Sequence, residues 1–210
     1  MKRLLLLLGI TFISFAFVAK KKKDKATDEL FTIKTRLGEI QLILFDDCPE
    51  HKANFIKLTK EGFFDGTTFH RVINGFMIQG GDPLSQDSIT ANDGRGGPGY
   101  TLPAEFSRKH KHVRGAVAAA RQGNNVNPER RSNGSQFYIV QGYQGAHQLD
   151  SEYTVFGQVV KGMTIVDIIS NSPKDTRDRP FKDVTMTVSV ETLKKSKITE
   201  LTGYQYETSK

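Results

Sequence analysis

Two stretches near the start of the chain are rich in the apolar and β-branched residues that favour strands. They are Leu30–Thr35 and Glu39–Phe45, separated by Arg36-Leu37-Gly38. Two β-rich runs separated by a short break with glycine favour a hairpin between them. After Pro49 the apolar residues recur at helical spacing as far as Lys60, and a proline in the first turn is typical of a helix start. We therefore predict a hairpin followed by a helix.

The densest apolar stretch is Phe69–Asp82, which reads FHRVINGFMIQGGD. Its first five residues suit a strand, and Asn74-Gly75 is a strong turn signal because both residues tolerate positive φ. Phe76–Gln79 then reads as a returning strand. If the two strands pair, Arg71 and Gln79 lie on one face among apolar neighbours. A charged side chain over an apolar patch is costly unless it is paired or used, so this face is a candidate site.

Three further stretches carry a regular pattern that predicts a small-residue strand, a second helix and a last strand. They are Ala116–Ala120, Gly162–Ser170 and Val184–Leu193. Between them, Gln122–Gly134 is polar, rich in asparagine and predicted to be a loop. We place one domain at residues 29–193, which is long enough to bury a core. Residues 194–210 are expected to form a loose polar tail.

The first residues of the chain differ from the rest in composition. Lys2 and Arg3 precede a mainly apolar run without charged residues, Leu4–Val18, which is shorter than the roughly 20 residues that a spanning helix prefers. Residues 1–19 are therefore interpreted as a secretory signal peptide, with an uncleaved N-terminal anchor as the alternative. Residues 20–28 follow as a basic linker. Both readings predict export, to the periplasm or to a membrane anchor that faces it, rather than a cytoplasmic protein.

The formal net charge of +7 is concentrated in this leader. Residues 1–25 hold seven basic residues and one acidic residue, which leaves only +1 on the rest of the chain. This distribution is typical of a targeting segment and a solvated tether, and it argues against nucleic-acid binding. The lysines of residues 20–25 can also lie on anionic lipid, at about 1 kcal/mol per basic residue. Association with a membrane through the N-terminus is therefore a further expectation.

Three features that signal other chemistries are weak in this chain. Cys48 is the only cysteine, so no internal disulfide can form, and no activating base is visible beside it, which predicts an inert thiol. Gly94–Gly99 contains the G-x-G-x-x-G spacing of dinucleotide sites, but no strand precedes it and Pro98 opposes a helix. His110 and His112 have no further ligands in view and are predicted to lie in a solvated loop. The sequence thus predicts neither a metal nor a cofactor.

The stretch Phe69–Asp82 resembles the signature of the cyclophilin family of peptidyl-prolyl isomerases, which runs FHR..-G-FM.QGGD. Ser132–Ile139 is similar to the family's NGSQFF segment, Leu149–Val159 to its LD…VFG.V element, and Gly96–Phe106 to a loop of its bacterial branch. The resemblance spans about Leu30–Leu193. It implies a mainly β fold, a closed eight-stranded antiparallel barrel capped by two α-helices. Periodicity alone predicts only a β-rich domain with two helices.

The resemblance also implies an activity, peptidyl-prolyl cis-trans isomerisation of X-Pro bonds in peptides and folding proteins. This reaction makes and breaks no bond, so it needs no nucleophile, metal or cofactor. Arg71 and Gln79 match the family's catalytic residues: the arginine reaches the prolyl nitrogen of the twisted amide, and the glutamine holds the substrate backbone. The matching substrate-binding positions are Phe76, Met77, Ala120, Arg121, Tyr138, Leu149 and Tyr153.

Some of these positions depart from the family pattern. Tyr138 stands where many members have phenylalanine and adds a hydroxyl that needs a partner. Tyr153 stands in place of histidine and Arg121 in place of asparagine, which suits the bacterial branch. The alternative function is a non-catalytic proline-peptide-binding or chaperone module of the same fold, but the presence of both Arg71 and Gln79 favours the enzyme. The expected partners are proline-containing peptides and unfolded or secreted client proteins, and the expected state is a monomer.

Overall fold

The computed structural model describes residues 26–207, which form ten β-strands and three α-helices. The strands are β1 (Thr27–Thr35), β2 (Gly38–Leu44), β3 (Arg71–Ile73), β4 (Met77–Gly80), β5 (Thr101–Leu102), β6 (Ala116–Ala119), β7 (Ser132–Asn133), β8 (Phe137–Val140), β9 (Val155–Lys161) and β10 (Met186–Lys194). The helices are α1 (Pro49–Lys60), α2 (Met163–Ser170) and α3 (Lys195–Thr202). The mainly β fold, the first hairpin and the two predicted helices are confirmed, whereas α3 was not predicted.

Eight of the strands form one antiparallel sheet in the order β10-β1-β2-β9-β6-β8-β4-β3. β1 pairs with β10 over its whole length, from Thr27 opposite Lys194 to Thr35 opposite Met186. On its other side β1 pairs with β2 through the predicted hairpin. β5 and β7 form a separate two-stranded ribbon. Strands from both ends of the chain therefore lie side by side, which ties the domain together.

The sheet curves until its two ends meet. In residues 26–207 the end strands β10 and β3 share no ladder, but Thr68, just before β3, bridges Thr185, just before β10. The backbone N–H of Met186 also donates to the carbonyl of Thr67 at 2.8 Å. The two ends of the sheet are thus joined by one isolated bridge and the backbone hydrogen bonds around it, rather than by a ladder between β10 and β3. Joining the ends protects strand edges that would otherwise be open to other chains.

Phenylalanine rings fill the space between the sheet and α1. The Phe55 ring centroid lies 5.3 Å from that of Phe31, 4.7 Å from Phe64 and 5.6 Å from Phe137. Phe55 and Leu58 are three positions apart, so they lie on the same side of the helix, and both are buried. Burial of each such side chain contributes about 1.5–3 kcal/mol. This core holds α1 against the sheet.

The central strands are buried on both faces, and their alternation forms a second cluster. On β8, Phe137 and Ile139 point to the main core, while Tyr138 and Val140 point to the other side. Successive residues of a strand point to opposite faces. Met77 on β4 joins the second cluster. This cluster lies below the candidate site and gives it an apolar base.

The C-terminal segment is packed, contrary to the expectation of a loose tail from residue 194. β10 runs to Lys194, α3 follows at once, and Ile198 of α3 is fully buried. Ile198 packs in a cluster with Leu30 of β1 and with Tyr204. Few apolar residues are scattered among the lysines and threonines here, so the segment has no strong periodicity. Burial of those few side chains against the sheet orders the segment.

The N-terminal assignments fall mostly outside the described residues. The proposed signal peptide or anchor, residues 1–19, lies wholly outside, and so does most of the basic linker at residues 20–28. The last two linker residues, Thr27 and Asp28, belong to β1, so the domain begins slightly before the predicted boundary. No helix within residues 26–207 is long and apolar enough to cross a membrane.

Candidate active site

The β3–β4 hairpin positions the two predicted catalytic side chains. The two predicted strands pair, and Arg71 lies directly opposite Gln79 in the register. Gly75 in the connecting turn has φ of 79°, a left-handed conformation that glycine adopts without strain. The Gly75 N–H donates to Oε1 of Gln141 at 2.7 Å, which fastens the turn to the chain beyond β8. Because opposite residues of an antiparallel pair point to one face, Arg71 and Gln79 share a surface.

That surface opens into a cavity of about 290 Å³. The residues that line it are Arg71, Phe76, Met77, Gln79, Ala120, Arg121, Tyr138, Leu149 and Tyr153. These are the nine positions named from the sequence, and the structure brings all of them together. Their individual roles in binding and catalysis stay predictions. The lining combines aromatic and aliphatic side chains with two guanidinium groups and one amide.

A row of opposed residues crosses four strands beneath the cavity. Gln79 of β4 lies opposite Tyr138 of β8, and Tyr138 lies opposite Ala118 of β6. Arg71 of β3 continues the row at its outer end. Met77 and Tyr138 form the buried floor, at 2% and 5% exposure. The small side chain of Ala118 leaves room beside the tyrosine ring.

A chain of amide hydrogen bonds holds Gln79. Nε2 of Gln79 donates to Oε1 of Gln136 at 2.9 Å, and Nε2 of Gln136 donates to the carbonyl of Gly96 at 2.8 Å. Asp82 fixes the same loop, because its carboxylate accepts hydrogen bonds from the backbone N–H groups of Gly94 and Gly96. A Cβ at Gly96 would lie 2.1 Å from Oδ1 of Asp82, so the loop needs glycine there. Sequence reasoning missed Gln136 and Asp82 as supports, although both lie in the motif segments.

The hydroxyl of Tyr138 has a partner that the sequence did not reveal. His112 is fully buried, and its Nε2 lies 2.9 Å from the Tyr138 hydroxyl oxygen. The prediction that His110 and His112 lie in a solvated loop is therefore wrong. His110 also packs inward, with its ring stacked on Phe45 at a centroid distance of 3.8 Å. Nothing in the sequence indicated that these two rings point inward, because both histidines lie among polar residues.

Arg121 is committed to the wall of the cavity rather than free for a ligand. Its guanidinium lies 4.4 Å above the Tyr153 ring, in a cation–π contact. Nε of Arg121 donates to the carbonyl of Glu152 at 2.8 Å, and Nη2 lies 3.2 Å from the Glu152 carboxylate. These contacts orient Tyr153 toward the cavity. Within residues 26–207, no hydrogen bond or ion pair occupies the exposed guanidinium of Arg71.

Cys48 lies at the start of α1 and is fully buried. Burial, followed by the charges of Glu105 and Asp47, raises the pKa of its thiol to about 12. The thiol is therefore protonated at neutral pH and is a poor nucleophile. Cys48 does not line the cavity, which agrees with the prediction of an inert residue.

The family comparison identifies the domain. The sequence model of the family described as cyclophilin type peptidyl-prolyl cis-trans isomerase/CLD matches residues 30–191. The chain belongs to the cyclophilin family. This match and the similarity to the peptidyl-prolyl cis-trans isomerases described next show that it is an enzyme of this class. The match runs from β1 into β10 and includes every residue that lines the cavity.

Several peptidyl-prolyl cis-trans isomerases are similar to this cyclophilin over most of their length. One from Helicobacter pylori is 39% identical over 153 residues, which cover 71% of this chain and 85% of that protein. The isomerase CYP18-1 of Arabidopsis thaliana is 37% identical over 158 residues, with coverage of 73% and 89%. Relatives from bacteria and plants match at similar identity, so the comparison does not separate the bacterial branch.

Other relatives are longer proteins. This cyclophilin spans 38% of a Streptococcus pyogenes protein whose name pairs a phosphatase with a peptidyl-prolyl cis-trans isomerase, at 36% identity. It spans 22% of the isomerase CYP71 of Arabidopsis thaliana, at 40% identity. The chain therefore corresponds to only part of each of these proteins.

Solved structures show the same fold. A cyclophilin-type peptidyl-prolyl cis-trans isomerase of Cryptosporidium parvum superposes with a TM-score of 0.68 at 30% identity, covering 79% of this chain and 98% of that one. The same Cryptosporidium protein, with the dipeptide Ala-Pro present, gives a TM-score of 0.67.

A second cavity of about 320 Å³ adjoins the first in this cyclophilin and shares Gln79, Ala120 and Arg121 with it. Arg95 and Arg131 also line it, and no acidic residue among residues 26–207 does. Nε of Arg131 donates to Oγ1 of Thr101 at 2.7 Å, which fixes that side chain. A surface of one charge sign favours ligand groups of the opposite sign. The predicted loop Gln122–Gly134 thus supplies part of a basic wall beside the first cavity.

Proposed function

We propose that this cyclophilin speeds rotation about X-Pro bonds by stabilising the twisted amide with Arg71, while the cavity holds the proline ring. The observation that carries the proposal is the placement of Arg71 at the edge of an apolar cavity, with no partner for its guanidinium in the described residues. A planar amide resists rotation with a barrier of roughly 18–20 kcal/mol. Catalysis requires that the twisted state be bound more tightly than either planar isomer.

A guanidinium can make this distinction. In a planar amide the prolyl nitrogen shares its lone pair with the carbonyl group and accepts no hydrogen bond. In the twisted state the nitrogen regains its lone pair and becomes an acceptor. A donor held at that position by the rigid β3–β4 hairpin therefore stabilises the twisted state selectively, without reorganising during the reaction.

Gln79 is suited to hold the substrate backbone. Its Nε2 is occupied by Gln136 at 2.9 Å, and within residues 26–207 no donor contacts its Oε1. That oxygen is therefore available to accept a hydrogen bond from a peptide N–H. The apolar floor formed by Met77 and Tyr138 suits the pyrrolidine ring, and Phe76 and Leu149 flank it. Together these groups hold one end of the bond while the other end turns.

Exchange spectroscopy tests the proposal. The full chain should make cis–trans exchange of a short Ala-Pro peptide much faster than the uncatalysed exchange, which takes tens to hundreds of seconds. Exchange measured by NMR needs no coupling enzyme, and the same peptide with alanine in place of proline controls for unspecific binding. A folded protein that binds the peptide without faster exchange would support the alternative, a non-catalytic binding or chaperone module. The packed helix α3 should be kept in any shortened version.

We further propose that the substrates are proline-containing segments of unfolded, exported proteins, and that the protein acts as a monomer outside the cytoplasm. The support is the composition of residues 1–19, with two basic residues before a long apolar run. The basic residues at 20–25 are suited to rest on an anionic membrane.

Cell fractionation tests the export proposal. The protein should be found in the periplasm or held on the membrane facing it, and release by high salt would distinguish electrostatic attachment from an apolar anchor. Replacing Leu6 and Leu8 with arginine should retain the protein in the cytoplasm, because each such charge costs about 2.5–3.5 kcal/mol in an apolar segment. A wild-type protein that keeps its intact N-terminus in the soluble cytoplasmic fraction would contradict the proposal.

A further inference from the structure

Two buried side chains, Tyr138 and His112, and the partly exposed carboxylate of Asp150 form a continuous hydrogen-bonded chain beneath the cavity. The Tyr138 hydroxyl lies 2.9 Å from Nε2 of His112, and Nδ1 of His112 lies 2.9 Å from Oδ1 of Asp150. The backbone N–H of His112 donates to the same carboxylate oxygen at 2.8 Å. His112 is fully buried and Tyr138 is 5% exposed. This chain uses the hydroxyl by which Tyr138 differs from phenylalanine.

The carboxylate decides the direction of these hydrogen bonds. Burial by itself raises the pKa of Asp150. Hydrogen bonds from the backbone and ring of His112 and from the ring of His147 have the larger combined effect and lower this pKa to about 2. An ionised carboxylate only accepts, so Nδ1 of a neutral His112 carries the hydrogen and Nε2 accepts from the Tyr138 hydroxyl. Burial lowers the pKa of His112 and raises that of Tyr138, which favours this neutral arrangement.

The same chain joins two walls of the cavity. Asp150 follows Leu149 at the end of a short 3-10 helix, His147–Leu149, and Leu149 lines the cavity. The backbone N–H of Ala146 donates to the carbonyl of His112 at 2.7 Å, which fastens the start of this helix to the histidine. A movement of His112 would therefore shift both Tyr138 and Leu149.

We propose that His112 and Asp150 are positioning residues that fix the Tyr138 ring and the Leu149 wall of the proline cavity, and that kcat/KM depends on the protonation state of His112. The inference rests on the proposed function, because it assumes that the cavity holds proline. Neither residue touches the cavity itself. They act on the substrate through Tyr138 and Leu149.

The geometry predicts that kcat/KM falls at acidic pH, and this fall is the acidic limb of the pH profile. A protonated His112 donates from both ring nitrogens, so Nε2 can no longer accept from Tyr138, whose hydrogen must turn toward the apolar surroundings. The groups that face His112 are Asp150 and His147 from the 3-10 helix region, Lys111 beside it and Tyr138 from β8. Asp150 favours the cation, whereas burial, His147 and Lys111 oppose it. The change therefore falls below the ordinary histidine pKa of about 6.5.

The test is the pH profile of kcat/KM between pH 5 and pH 8, measured by exchange NMR on an uncharged Ala-Pro peptide. In the wild type, kcat/KM should fall roughly three- to tenfold toward pH 5, the size expected for one hydrogen bond. Most of the fall should be in KM, because a displaced cavity floor weakens binding of all substrate states alike. In Tyr138→Phe the acidic limb should be absent. His110→Asn is the matched control, since His110 pairs with Asp47 and lines neither cavity, and it should keep the limb.

A spectroscopic measurement supports the kinetics and does not depend on any variant. The nitrogen chemical shifts of His112 should show the Nδ1–H form at neutral pH, and His112 should titrate at the midpoint of the kinetic limb. A flat wild-type profile, or a limb that Tyr138→Phe retains or His147→Asn removes, would overturn the proposal. Absence of any turnover at pH 7.5 would instead refute the proposed function, so the two failures are distinguishable.

Discussion

Replacing Arg71 with alanine should lower kcat/KM for an Ala-Pro peptide by on the order of 10²-fold, by comparison with the loss of one preorganised oxyanion donor. The guanidinium lies at the rim of the proline cavity, and no group in residues 26–207 pairs with it. Its removal therefore leaves no buried charge behind and should not unfold the domain. The loss should appear in kcat and leave the peptide dissociation constant nearly unchanged, because the arginine acts on the twisted state alone.

Two further variants separate this role from a general effect of charge. Arg71→Lys should also be poor, since a flexible ammonium does not replace a planar guanidinium fork. Arg108→Ala removes an exposed arginine that lines neither cavity, and it should behave like the wild type. Near-normal turnover in both Arg71 variants would show that another group stabilises the twisted amide.

Replacing Lys52 with methionine should lower the free energy of unfolding by about 3–5 kcal/mol, the cost of breaking a buried ion pair. Lys52 is 6% exposed, although it lies on α1 among residues that reach solvent. Its Nζ lies 2.8 Å from Asp28, 3.2 Å from Glu29 and 3.0 Å from Asp46. Burial alone would lower the pKa of Lys52, but hydrogen bonds to Asp28 and Asp46 together raise it, so the ammonium stays charged.

The Lys52 ammonium joins parts of the chain that are distant in sequence. It connects α1 to the start of β1, and Tyr206 near the C-terminus donates its hydroxyl hydrogen to Oδ2 of Asp28 at 3.2 Å. Without the lysine, three carboxylates would face one another with little water around Asp28. Denaturant unfolding of the full chain measures the effect. Lys60→Met on the same helix is the matched control because Lys60 is exposed, and a loss for Lys52→Met no larger than for this control would refute the argument.

Local patterns were sufficient for the elements that local chemistry decides. The β-rich composition of Leu30–Thr35 reflects a strand, and Asn74-Gly75 reflects a turn that only a few residue types enter without strain. Pro49 begins α1 because its fixed φ suits the first turn. The nine cavity residues were named because motif segments resembled a known family, not because any pattern placed them together.

The tertiary structure decided the features that depend on contacts between distant segments. Strand order is one of them, since β8 lies between β4 and β6 through hydrogen bonds that no local pattern encodes. His112 was expected in a solvated loop, yet it is buried beside Asp150. Lys52 is likewise buried, because carboxylates from other segments meet its ammonium group there.

The sequence by itself predicted the first hairpin, the Asn74-Gly75 turn and helices α1 and α2, and its resemblance to a family named the side chains that line the cavity. It did not determine which polar residues lie inside. Whether a polar side chain is buried depends on the cost of its desolvation and on the partners that other segments of the chain supply. Examples are Lys52 with Asp28 and His112 with Asp150. Apolar contacts between distant segments likewise hold α3, where Ile198, Tyr204 and Tyr206 share one cluster with Leu30 of β1.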